Sequence, residues 1–231
     1  MVTGLKLFIL SFGVLFYSCA GIVPIRVKKN FTLCYDSNAN NNHSKIQMNG
    51  YYMFINNYRY TYDYNGKLTD TVPCNPTYHR IIFFKDGIVV KGQFGGLKCA
   101  NCDTETTNQF LKMVSQNKQP ETSVFYGYNW GVYKVIGDTI KMQTVNSQTW
   151  PNPYWYLFEN WYLINNDSSL SPIYSKNLID DKEIRGDAEI PKTYKFIETN
   201  LQLPSDTWLK KEKWFWCNKE DWKIYIKNKN K

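Results

Sequence analysis

The chain has 231 residues, of which 43% are hydrophobic and 17% aromatic, and it carries a formal charge of +8. That apolar content excludes a disordered chain, and the length fits one domain or one domain with extensions. Tyrosine and tryptophan, apolar bodies with polar tips, favour strands and half-buried surfaces. Much of the charge is local: residues 210–231 hold eight lysines against Glu212, Glu220 and Asp221, a net of +5. This reads as a solvated lysine-rich tail over residues 227–231 and the stretch before it, rather than a nucleic-acid surface.

The chain begins with one lysine, Lys6, ahead of the uncharged stretch Leu7 to Tyr17, which is followed by Ser18-Cys19-Ala20-Gly21. Positive start, apolar middle and small residues are the order of a secretory signal. The apolar stretch is too short to span a bilayer, which takes about 20 such residues. Leu15-Phe-Tyr-Ser18-Cys19 resembles the lipobox of bacterial lipoproteins, with Phe16 where a leucine is usual. The resemblance implies residues 1–18 as a lipoprotein signal peptide and Cys19 as the lipid attachment site. Residues 19–48 are then the lipidated N-terminus and a flexible tether, because Asp36 to Ser44 is polar, asparagine-rich and without periodicity.

From residue 49 to 226 the pattern is that of a β-rich domain. Tyr51 to Ile55 is a short apolar run, and Tyr58, Tyr60, Tyr62 and Tyr64 alternate with polar residues at period two before the turn Asn65-Gly66. Arg80 to Lys85, Asp86-Gly87 and Ile88 to Lys91 predict a hairpin with a type I′ turn; Trp130 to Ile136, Gly137-Asp138 and Thr139 to Val145 predict a second. Tyr154 to Phe158, Trp161 to Ile164, Thr193 to Ile197 and Trp222 to Ile226 are further strand candidates. The one predicted helix is Thr104 to Asn117, with Asp103 as its cap. Many short strands with regular turn signals point to a mainly β fold, an antiparallel barrel or sandwich with at most one short helix.

Asn49-Gly-Tyr-Tyr52, Ile82-Phe-Phe-Lys-Asp-Gly-Ile88, Tyr128 to Ile140, Tyr194-Lys-Phe and Leu203-Pro-Ser-Asp206 together resemble a pattern in small Bacteroidetes lipoproteins. Those proteins are similar to lipocalin-type barrels and mostly lack an assigned activity. The resemblance implies a lipocalin-like barrel on an outer membrane. Surface-exposed lipoproteins of this kind often carry an acidic export signal after the cysteine, and Ala20-Gly21-Ile22 has no acid. It therefore implies that the chain faces the periplasm.

Besides Cys19 the cysteines are Cys34, Cys74, Cys99, Cys102 and Cys217. Structural disulfides in an oxidising compartment are the expected use, with the pairing open. Cys99-x-x-Cys102 has neither a second such pair nor a βαβ setting, and the histidines are His43 and His79 alone, so neither metal nor cofactor is expected. No serine, cysteine or carboxylate set forms a recognisable catalytic arrangement, so no enzyme is expected. Two functions remain: a membrane-anchored protein binding a small apolar ligand or glycan, or a structural protein of the envelope with no small ligand. The candidate ligand-facing aromatics are Tyr60, Tyr62 and Trp155.

Overall fold

The computed structural model describes residues 23–38, 45–62, 68–95, 112, 125–147, 154–166, 168–183, 192–199 and 204–229. The predicted signal peptide with Cys19, the predicted Asn65-Gly66 turn, Cys99 and Cys102 lie outside these, as does the predicted 104–117 helix apart from Lys112. Helix α1 spans Ile25–Asn30. The strands are β1 Gly50–Tyr62, β2 Leu68–Phe83, β3 Ile88–Gly95, β4 Phe125–Ile136, β5 Thr139–Ser147, β6 Trp155–Asn166, β7 Ser169–Asn177, β8 Lys182–Glu183 and β9 Tyr194–Glu198. Helix α2, Lys219–Lys229, follows two short 3-10 turns at Trp208–Lys211 and Lys213–Phe215. No helix among the described residues is long and apolar enough to cross a membrane.

The strands run antiparallel in the order β6-β5-β4-β3-β2-β1-β9-β7, and β7 pairs back onto β6. Eight strands therefore close into a barrel, with β8 an outer appendage on β7. The fold class read from the sequence holds, and closure selects the barrel over the sandwich. Both predicted hairpins form, with different turns from the one expected at 86–87. Gly87 alone has positive φ there, at 85°, and its N–H bonds the Phe84 carbonyl, which is a type I turn ended by a left-handed glycine. At the second hairpin Gly137, φ 62°, takes the first central position of a two-residue turn, the type II′ requirement.

Each wall strand sends alternate residues inward and outward. The inward set includes Tyr52, Phe83, Val89, Tyr133, Met142 and Tyr162, all buried. The outward set of β2–β6 is apolar as well: Ile82, Ile88, Val90, Trp130, Val145 and Leu157 are buried. That is why Arg80 to Phe84 and Ile88 to Val90 read as continuous apolar runs rather than alternation.

The outer wall is covered by both ends of the chain. Val23, Val27, Phe31, Leu33 and Tyr35 pack on it from the N-terminal side, and Leu209, Phe215 and Trp216 from the C-terminal side. Residues 23–38 are thus not a tether: their apolar residues meet a wall that would otherwise face water. Gln143 fixes the layer, its side-chain oxygen accepting from the N–H groups of Thr32 and Leu33 at 2.8 and 2.9 Å. The two ends are joined to each other. Tyr35 and Trp216 form a parallel bridge, Tyr35 N–H donates to Phe215 O at 2.8 Å, and Cys34 is disulfide-bonded to Cys217. The predicted strand Trp222 to Ile226 is instead part of α2. Asn218 accepts the Glu220 N–H at 2.9 Å as a cap, and acids in the first turn and lysines in the last suit the helix dipole.

Candidate functional site

The barrel has two unlike ends. At the end holding the 84–87 and 137–138 turns, Ile46 and Met48 pack into the inner core and Gln47 N–H donates to Tyr52 Oη at 3.0 Å. Lys45 ties this plug to Asp138 at 2.6 Å. The opposite end is where β3 and β5 finish and β6 begins. From its rim the β1–β2 hairpin projects as a ribbon: β9 pairs only with Gly50 to Met53, and β3 only with Thr77 to Phe83. Pro73 and Pro76 sit in this part of β2, where Pro73 at least meets no β3 partner for the N–H it lacks.

Midway along the barrel the inward residues change from apolar to polar. Register places Lys91 beside Ile81 and Asn129, and Asn160 beside Met142 and Ser175. Thr144 follows on β5 beside Gly131 and Phe158. Gly131 leaves that stretch of inner wall bare, since a Cβ there would collide with the backbone carbonyl of Gln143 and come within 2.8 Å of the Thr144 Cα. The Lys91 ammonium reaches across the lumen: Nζ lies 3.3 Å from Asn160 Oδ1 and 5.9 Å from the centre of the Tyr162 ring. Ser175 Oγ donates to the same Asn160 oxygen at 3.1 Å. Among the described residues no carboxylate lies within ion-pair distance of Lys91.

Asn160 is 3% exposed and Thr144 fully buried, yet among the described residues Asn160 Nδ2 and Thr144 Oγ1 have no hydrogen-bond partner, nor has Asn129 Oδ1. Buried polar atoms are nearly always paired, because an unmade hydrogen bond costs about 1–3 kcal/mol. Three such atoms in one belt mark a place poised for a polar partner. Lys91 and Asn129 are half-buried, so the belt is reached from the β3–β4 side. Above it, towards the end where β6 begins, the rings of Tyr156 and Phe158 stack at 5.7 Å with planes 5° apart, both half-buried. Phe158 lies on the inward row of Thr144, and Tyr156, two residues on, shares that face.

Of the aromatics picked out from sequence, Tyr60 and Trp155 lie in different parts of the fold. Trp155 faces outward, packing edge-on against Trp208 at 5.9 Å in the outer layer. Tyr60 is on the ribbon, half-buried, its ring 6.5 Å from that of Tyr58. Of the other alternating tyrosines, the side chain of Tyr62 and the whole of Tyr64 lie outside the described residues. Burial, followed by the neighbouring Tyr58 and Cys74, pushes the Tyr60 hydroxyl above its usual pKa. Arg80, beside Lys91 in the sheet, points the other way, its guanidinium carbon 5.2 Å from the centre of the Tyr78 ring on the outer face. Among the described residues no group of three or more His, Cys, Asp or Glu side chains is placed to hold a metal. No family model, curated protein or solved structure matches the chain.

Proposed function

We propose that the protein is an exported, lipid-anchored barrel that holds a small molecule in the half of its lumen away from the Ile46–Met48 plug. The observation that carries the binding reading is the belt of buried polar atoms lacking partners above a solid aromatic core. The plugged end supports it: among the described residues Ile46 and Met48 fill one end of the lumen, and the inward face turns polar midway, giving a ligand a place to stop. Lipid on Cys19 and an outer-membrane site facing the periplasm rest on the sequence of residues 1–22; the Cys34–Cys217 disulfide is in keeping with an oxidising compartment. Native mass spectrometry of the protein released from the membrane fraction tests both parts. A lumen ligand appears as a non-covalent adduct, and a diacyl increment appears on the peptide that begins at Cys19. Loss of both signals would remove the proposal.

A second reading has its own observation. On the ribbon, Tyr58 and Val72 are each 46% exposed and Ile55 is 39% exposed. These apolar side chains would suit contact with another envelope protein, with no small ligand. That reading gains ground if the purified protein carries no adduct and binds none.

A further inference from the structure

We propose that the polar belt receives a carboxylate, and that the ligand is a small organic acid whose apolar part lies against Tyr156 and Phe158. The inference rests on the reading of the barrel as a binding protein and names the class of its ligand.

Charge is the first argument. Lys91 brings a positive charge into the lumen, where its partners are a neutral amide oxygen and a ring face. A half-buried ammonium has lost part of its hydration, and an anion beside it compensates that loss. A cationic ligand would add to the imbalance, and a neutral sugar would leave it in place. Among the described residues the nearby acid on β6, Glu159, faces outward, engaged with Gln143, Lys141 and Trp161.

Donor direction is the second argument. An asparagine amide can be turned end for end without changing its shape, but an ammonium only donates, so the Asn160 atom facing Lys91 must be its oxygen. The Ser175 hydroxyl supports the same assignment by donating to that oxygen. Nδ2 of Asn160 therefore points elsewhere as an unused donor, and Thr144 Oγ1 supplies a second one. An ammonium and two neutral donors on neighbouring inward positions match the acceptor oxygens of a carboxylate, where charge-assisted hydrogen bonds are the strong ones. Asn129 Oδ1 is an acceptor and would meet the acid through water, or turn its amide nitrogen inward.

Size is the third. Phe158 and Tyr156 lie two and four residues from Asn160 on β6, which at ~3.3 Å per residue puts them ~7 and ~13 Å along the strand. A carboxylate at the belt and a ring or short chain at the stacked pair fit this span, as in 4-phenylbutyrate.

The test uses the full chain with Cys19→Ala, titrated calorimetrically with 4-phenylbutyrate, 4-phenylbutanol, 4-phenylbutylamine and inorganic phosphate. The proposal expects the acid to bind at least ~10-fold more tightly than the alcohol, with the amine weakest and phosphate alone weak. Lys91→Met should bring the acid down to the level of the alcohol, and Lys91→Arg should keep the preference. Equal binding of acid and alcohol would overturn the carboxylate assignment while leaving the barrel a binding protein. Tight binding of phosphate alone would overturn the organic-acid class. Binding of none of the four would overturn this inference and count against the reading it rests on. The comparison of acid with alcohol on the unsubstituted lumen needs no variant, so a Lys91 substitution that fails to fold does not decide the matter.

Discussion

Replacing Cys34 and Cys217 together with serine should separate the two layers of the molecule. The bridge spans a sequence separation of 183 residues. The chain-entropy relation for a loop of that length gives ~5 kcal/mol of stabilisation through the unfolded state. Domains are stable by roughly 5–15 kcal/mol, so the double variant loses a large part of its margin. With a urea dependence of ~2.5 kcal/mol per molar for a chain of this size, the midpoint should fall by ~2 M. Hydrogen exchange should show where the loss falls. Amides of Leu33, Tyr35 and Cys217 should exchange first, while those of β3 and β4 keep more of their protection. A substitution is a better perturbation than a reductant, which would also act on any other bridge in the chain. A midpoint change equivalent to less than ~1 kcal/mol, or uniform loss of protection in both layers, would refute the view of the terminal segments as a stapled outer layer.

Trp155→Ala should lower stability by about 2–3 kcal/mol, a partial version of the usual cost of removing a core ring, and leave 4-phenylbutyrate affinity unchanged; weakened binding with intact stability would place Trp155 at the ligand after all. Tyr60→Ala on the ribbon should alter stability by less than ~1 kcal/mol, read in the same thermal scans. Burial raises the pKa of Glu159, but hydrogen bonds from Gln143, Trp161 and Lys141 outweigh it and hold the carboxyl below its ordinary range. Its contribution is therefore complete above the unfolded value of ~4.3 and fades as pH falls through the lower folded value. Urea midpoints measured from pH 6 down to pH 3 should fall more steeply for the native protein than for Glu159→Gln, and parallel curves would contradict this.

The barrel was legible wherever turn chemistry was local. Asp86-Gly87 and Gly137-Asp138 announce their hairpins because a left-handed glycine is a property of one position. Strand β7 was not legible, since Ser169 to Asn177 carries Pro172 and little apolar alternation. Pro172 is tolerated where the β6–β7 register shifts, opposite Tyr162. Trp222 to Ile226 carries aromatic and β-branched residues that suggest a strand, while Asn218, Glu220 and Asp221 just ahead of it spell a helix start; the helix presents Trp222 and Tyr225 to the outer layer. The polar belt was missed for another reason. Lys91, Thr144 and Asn160 lie in three separate strands, and nothing local to any one of them says that the others are opposite. The available signal was the inward face itself: a polar residue two positions from Val89, from Met142 and from Tyr162 breaks three otherwise apolar inward rows.

The pairing of residues 34–35 with 215–217 also sets an order of events. At ~5–20 residues per second of synthesis, roughly 10–40 s separate the emergence of Cys34 from that of its partner. Until the end of that interval the Val23 to Leu33 segment, and the apolar back of β2–β6 as each strand emerges, lack half of their cover. A nascent chain stalled before residue 217 would present a sticky wall and an idle cysteine. Closure of the outer layer is thus a whole-chain event, completed only once residue 217 has joined the chain.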